Sequence, residues 1–126
     1  MNIRVGHGFD VHQLEKNIPF ILGGIKIDSD IGIKGHSDGD VLIHSIVDAL
    51  LGSLGLGDIG SYFPSVPKWE KCSSEIFLQK TLMKMTTNNY KIINIDSTII
   101  LQRPRINNYI SEIKNNLSKI INIKVD

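Results

Sequence analysis

Asp10 and His12 stand two residues apart in the segment Gly6-His-Gly-Phe-Asp-Val-His12. On a strand, alternate side chains share a face, so Asp10 and His12 project to the same side. Gly6 and Gly8 fall on that side too and leave a bare floor where a ligand or another backbone can approach. His7, Phe9 and Val11 point the other way, and His7 reads as structural. A carboxylate and an imidazole on one face are two ligands of a zinc site that needs a third. His44 is the candidate. It lies in Asp40-Val-Leu-Ile-His-Ser-Ile-Val-Asp48, where Asp40, His44 and Asp48 follow at i, i+4 and i+8 as a polar ridge on an otherwise apolar helix. Three protein ligands leave one coordination position open, the arrangement of a catalytic rather than a structural zinc. Asp48 is placed either to hold the His44 tautomer or to meet substrate directly.

These residues need elements to carry them. Ile3 to His12 is expected as the first strand, and Pro19 to Ile27 as a second extended segment interrupted by Gly23-Gly24. Asp28 to Gly35 reads as a polar loop. Ser37-Asp-Gly-Asp40 supplies a cap and acidic first turn for a helix from Val41 to about Leu54, ended by Gly52, Gly55 and Gly57. A second helix is expected from about Ser73 to Thr86, with Leu78, Leu82 and Met85 on one side. Lys91 to Leu101 reads as a long strand in which Ile93, Ile95, Ile99 and Leu101 share a face. A third helix follows Pro104, with Ile106, Ile110, Ile113, Leu117 and Ile120 at core spacing. Ile123-Lys-Val125 opens a further strand.

His36 precedes the first helix, where backbone N–H groups favour anions. It reads either as a solvated loop residue or as a phosphate contact. Gly55-x-Gly-Asp-x-Gly60 reads as turns or as a phosphate cradle, and Asp38 and Asp40 as favourable first-turn charges.

With 126 residues the chain is expected to form a single domain, 1–126. A net charge of +1 without a basic stripe argues against electrostatically driven nucleic-acid binding. No apolar run approaches the roughly 18 residues that span a bilayer. Cys72 is the single cysteine, so no internal disulfide forms and a reducing compartment fits. Met1 lies directly against the first expected strand with no leader before it, so the expected location is cytoplasmic.

Three blocks carry a resemblance: Arg4-Val-Gly-His-Gly-Phe-Asp-Val-His12, Gly35-His-Ser-Asp-Gly-Asp-Val-Leu-Ile-His-Ser-Ile-Val-Asp-Ala-Leu-Leu-Gly52, and Gly57-Asp-Ile-Gly-x-x-Phe-Pro64. Together they resemble the 2-C-methyl-D-erythritol 2,4-cyclodiphosphate synthase family of the non-mevalonate isoprenoid pathway. The likeness continues more loosely through Asn94-Ile-Asp-Ser-Thr-Ile-Ile-Leu-Gln-Arg-Pro104 to the end of the chain.

The resemblance implies an α/β fold of the α+β type, a mixed β-sheet with three helices packed on one face, assembled as a homotrimer with interfacial active sites. It implies cyclisation of 4-diphosphocytidyl-2-C-methyl-D-erythritol 2-phosphate with loss of CMP. Asp10, His12 and His44 match the family's zinc ligands. His36 matches a residue that stabilises the transition state, and Ser37 a substrate contact beside it. Asp48, Asp58, Ile59, Gly60 and Phe63 match the pocket for the methylerythritol and phosphate groups. Gln102, Arg103, Pro104, Arg105 and Ile106 match the segment that receives cytidine, with Arg105 where a lysine is usual. Mg2+ or Mn2+ is expected with the diphosphate.

Two departures accompany the match. Ser65-Val-Pro67 carries no carboxylate where the family has an acidic loop. The family also continues past the position of Val125 with a threonine- and glutamate-bearing segment that holds the second metal and closes the sheet. The resemblance therefore implies that a C-terminal strand and loop are missing here. The alternative expectation is a catalytically impaired module that binds zinc and cytidine nucleotides.

Overall fold

The computed structural model describes residues 2–126. Four short strands come first: β1 (Leu14–Lys16), β2 (Phe20–Leu22), β3 (Ile25–Ile27) and β4 (Ile31–Ile33). Helix α1 (Val41–Ser53) follows, then a single-turn α2 (Ile59–Tyr62), α3 (Ser74–Thr87) and α4 (Ile110–Ile121). Short 3-10 turns occupy Pro67–Trp69 and Asn107–Tyr109.

The strands form two antiparallel pairs, β1 with β4 and β2 with β3. Gly23-Gly24 is the tight turn between β2 and β3 rather than an interruption of one extended segment. Both glycines have positive φ, +59° and +77°, as a two-residue turn matched to strand twist requires. Phe20 pairs with Ile27 and Leu22 with Ile25, and all but the partly covered Ile25 are buried. The expected loop over 28–35 contains β4, whose Ile31, Gly32 and Ile33 are all buried. Leu14 pairs with Ile33, so β1 and β4 bracket the β2–β3 hairpin.

The mixed sheet is not formed among the described residues. Ile3–His12 and Lys91–Leu101 belong to no ladder, because neither has a strand beside it to share backbone hydrogen bonds. Ile3–His12 lies on α1 instead. A Cβ at Gly6 would overlap the Ala49 carbonyl oxygen, and one at Gly8 the Ser45 carbonyl oxygen. Ala49 and Ser45 are four residues apart, about 6 Å along a helix, which is what two residues of extended chain span. The opposite face, with Val5, Phe9 and Val11, is exposed. In the 91–101 segment Ile92, Ile95, Ile99 and Leu101 pack against the core, whereas Ile93 is 78% exposed. The step from Ile92 to Ile95 breaks the simple alternation expected there. No strand is formed at 123–125.

The core sits between α1, α3 and the β2–β3 hairpin. Ile43, Val47 and Leu51 meet a cluster that includes Phe77, Leu78, Phe20 and Ile27, all essentially inaccessible. Each such side chain contributes on the order of 1.5–3 kcal/mol by leaving water. Helix α4 buries only Ile113 fully and lays Leu117 and Ile120 partly against the core, an amphipathic outer helix.

Asp40 joins these parts. It is the N-cap of α1, with Oδ1 accepting from the Ile43 N–H at 3.1 Å. The same carboxylate takes the Gly23 N–H at 2.9 Å and the Gly24 N–H at 2.6 Å, tying the hairpin turn to the helix start. Burial pushes its pKa up to about 6, against the backbone donors of Ile43, Gly24 and Gly23 and with help from the charge of Asp38. Because the fold raises this carboxyl, its contribution to stability falls as pH rises from about 4 to about 6.

Two outcomes are expected. Carbon-13 titration of the Asp40 carboxyl has its midpoint near 6; a midpoint below 4 would show that the backbone donors outweigh burial. Asp40→Ala leaves the buried Gly23 and Ile43 N–H groups and the part-buried Gly24 N–H without their acceptor and destabilises the fold by about 3 kcal/mol or more, read by urea unfolding.

Candidate metal centre

Two elements set the site. The 6–12 segment is seated on α1 by its glycines, and the next two residues on that face are Asp10 and His12. His44 is one turn into α1 and faces them, 8% exposed. Asp10 Oδ2 lies 3.1 Å from His12 Nδ1 and 3.3 Å from His44 Nδ1. The two imidazole centroids are 5.1 Å apart, and one donor atom from each of the three residues falls within 4.8 Å of the others. Asp10 Oδ1 accepts from the Val11 N–H, which fixes the carboxylate so that Oδ2 points between the rings.

The partners of His44 determine which of its nitrogens is free. Nε2 is 2.8 Å from Ser74 Oγ and 3.1 Å from Ser37 Oγ. Nδ1 is the atom turned to Asp10. Asp10 Oδ2 and His12 Nδ1 are buried and have no hydrogen-bond partner. With no proton between them, two such buried atoms so close together cost several kcal/mol, a cost that a shared cation removes. Around a zinc ion with bonds of about 2.0–2.1 Å, tetrahedral neighbours sit roughly 3.3–3.4 Å apart, close to the separations observed. One carboxylate and two imidazoles therefore fit a divalent cation. Burial drives the Asp10 carboxyl upward, but its close interactions with the His12 and His44 rings outweigh it and hold it below the usual carboxylate range.

The remaining expected site residues fall in three places. Ser37 is beside His44, as above. His36 is exposed, with Nε2 2.8 Å from the Val66 carbonyl, so it holds the chain that follows Pro64. Asp48 makes no hydrogen bond to His44; its Oδ1 accepts from the Ile59 N–H at 2.8 Å and anchors the start of α2. Asp40, Asp48 and His44 are therefore not one working ridge, because Asp40 caps the helix and Asp48 serves the next element. Asp58 caps α2 through the Ser61 N–H, with Ile59 half-buried and Gly60 exposed. Phe63 stacks on Phe77 with centroids 4.5 Å apart, and Trp69 meets both rings edge-on. It is packing behind His44, whose ring lies 6.1 Å from Phe77.

Gln102, Pro104, Arg105 and Ile106 line a trough of about 930 Å³ between the 93–107 segment and α4, away from Asp10, His12 and His44. Arg103 does not line the trough and pairs with Asp30 at 2.9 Å. Sequence reasoning missed Ser74 and undervalued Asp38, which together stand behind His44. The signal within reach was Ser73-Ser-Glu75 at a helix start; nothing local points from there to His44.

A family model described as the YgbB family matches residues 3–126, and the chain belongs to that family. It is 48% identical over 122 residues to 2-C-methyl-D-erythritol 2,4-cyclodiphosphate synthase of Natranaerobius thermophilus, covering 96% of this chain and 77% of that protein. The chloroplastic synthase of Arabidopsis thaliana is 51% identical over 119 residues, 94% of this chain but 52% of that protein, so the chain spans about half the plant relative's length. A solved structure of 2C-methyl-D-erythritol-2,4-cyclodiphosphate synthase in its CDP-bound form superposes with a TM-score of 0.92 at 35% identity, covering 98% of this chain and 83% of that one.

Gly8→Ala tests how the site is seated. The added Cβ displaces the segment from the Ser45 carbonyl, and divalent-cation affinity is expected to drop about 10-fold or more while helical circular dichroism is retained. Unchanged cation affinity would show that contact with α1 does not set the site.

Proposed function

We propose that this chain is a cyclodiphosphate synthase of the non-mevalonate isoprenoid pathway. It converts 4-diphosphocytidyl-2-C-methyl-D-erythritol 2-phosphate to 2-C-methyl-D-erythritol 2,4-cyclodiphosphate and CMP. The observation that carries the reading is the Asp10–His12–His44 cluster, with Asp10 Oδ2 and His12 Nδ1 buried and without a hydrogen-bond partner, in a chain of the YgbB family. Zinc is the ion proposed there, since two imidazoles and a carboxylate with an open position suit it. Bound at that position, zinc supplies a positive charge that holds and polarises one substrate phosphate.

The reaction needs no protein nucleophile. An oxygen of the substrate's 2-phosphate attacks the β-phosphorus, the bond from that phosphorus to the bridging oxygen breaks, and CMP departs with that oxygen. The chain's task is to fold a flexible polyanion onto itself and exclude competing geometries. In this reading His36 and Ser37 meet the reacting phosphates from the loop before α1. Asp48 holds the start of α2 so that Asp58, Ile59 and Gly60 form one wall for the methylerythritol group, and Phe63 backs it. Gln102 to Ile106 receive cytidine.

The cytidine segment and the metal cluster lie apart within one chain, which favours a homotrimer in which neighbours supply the two halves of each site. The exposed apolar face of Ile3, Val5, Phe9 and Val11 suits such contact. Mg2+ or Mn2+ is proposed to travel with the diphosphate. Among the described residues no helix is long and apolar enough to cross a membrane, and action in the cytoplasm is part of the proposal. The non-catalytic alternative is not favoured by relatives that are themselves named synthases.

Phosphorus NMR of the purified protein with zinc, magnesium and the cytidyl substrate tests the reading. Cyclic diphosphate and CMP are expected in equal amounts, and His44→Ala is expected to lower turnover by roughly 100-fold or more. Stoichiometric zinc with no cyclic product would instead mark a binding module.

A further inference from the structure

Ser74 and Asp38 belong to none of the roles above, yet both are locked together behind His44. Ser74 is the first residue of α3 and is fully buried. Its Oγ donates to Asp38 Oδ1, and its backbone N–H donates to Asp38 Oδ2 at 2.9 Å. Asp38 Oδ1 also takes the Asp40 N–H at 3.0 Å. Ser73, the residue at the cap position of α3, makes no side-chain cap bond, so Asp38 caps this helix from 36 residues away.

The direction of the chain of hydrogen bonds follows from donor inventory. A carboxylate only accepts, so the Ser74 hydroxyl proton must lie toward Asp38. Ser74 Oγ then has only lone pairs left for His44 Nε2, 2.8 Å away. That contact is satisfied only if Nε2 carries the imidazole proton. Nδ1 is then unprotonated and presents its lone pair beside Asp10 Oδ2, where a cation would sit. Ser37 Oγ, 3.1 Å from the same Nε2, makes no bond to a carboxylate, so its hydroxyl can turn either way and selects no tautomer.

We propose that Asp38 and Ser74 are positioning residues that fix His44 as its Nε2-protonated tautomer and so prepare Nδ1 as a metal ligand. This rests on the metal reading of Asp10, His12 and His44 and deepens it. The relay also ties metal affinity to the docking of α3, because the same Asp38 carboxylate caps that helix.

The test is run on the full chain without metal first. Two-bond proton–nitrogen correlation of the His44 ring reports which nitrogen is protonated, and needs neither zinc nor substrate. The wild type is expected to show the proton on Nε2. Ser74→Ala, which keeps the backbone N–H for Asp38, is expected to give a mixture of tautomers. Zinc affinity, measured by competition with a chelator, is expected to weaken about 10- to 100-fold in Ser74→Ala. Asp38→Asn, which lets the Ser74 hydroxyl reverse, is expected to move the proton toward Nδ1 and to weaken zinc similarly.

Loss of helix stability alone would leave the tautomer and the affinity of the folded protein unmoved. A wild-type proton on Nδ1 overturns the proposal. So does Ser74→Ala with wild-type tautomer and zinc affinity within twofold. If Ser74→Ala does not fold, Asp38→Asn carries the same two readouts. A wild-type chain that shows the expected tautomer yet takes up no zinc would sink the metal reading and leave the relay standing.

Discussion

The geometry of the candidate metal centre depends on one close approach. An extended segment can lie directly on a helix backbone only where it lacks side chains on that face, and Gly6 and Gly8 provide this against Ala49 and Ser45. Once the segment is seated, the next two residues on the same face must pass the first turns of α1. Asp10 and His12 arrive there, and His44 meets them from the helix. The cluster brings together residues more than thirty positions apart, and its precision comes from backbone contact rather than from long side chains.

The helix beneath it is held at its start. Asp40 binds its own N-terminus and the Gly23-Gly24 turn together, while Asp38, two residues earlier, binds the start of α3. Two carboxylates in one short loop therefore fix three elements around His44. The arrangement places charge where backbone donors are most numerous, which is how buried carboxylates are tolerated. It also explains why a loop rich in Asp and Gly, ordinarily a sign of solvent exposure, contains a fully buried Asp40.

Much of the site was legible because it rests on the two periodicities of regular structure. Parity placed Asp10 and His12 together and gave the glycines their bare floor. Composition around Asp40 gave the start of α1, and apolar spacing gave α3 and α4 to within a few residues. What remained hidden is what depends on distant partners. β4 was obscured because the short Ile31-Gly-Ile33 stretch, flanked by Asp28-Ser-Asp30 and Lys34-Gly35, looks like a loop until β1 and the Ile18–Pro19 backbone are placed against it. The expected ladder of Ile3–His12 did not appear because strand pairing is a property of a neighbour, not of the segment itself. Ser74 is a serine like many others in sequence; only the fold brings it to His44. Asp48, set one turn beyond His44, looked like that histidine's partner, but the backbone after α1 turns back and takes it first.

The most direct test of the central claim is the X-ray absorption spectrum of the protein at the zinc edge. The account predicts two imidazoles and one carboxylate with a further light-atom neighbour, all near 2.0–2.2 Å, and loss of imidazole scattering in His44→Ala. A thiolate sulfur shell near 2.3 Å, for which Cys72 is the single cysteine in this sequence, would contradict it, as would zinc that is not retained at all.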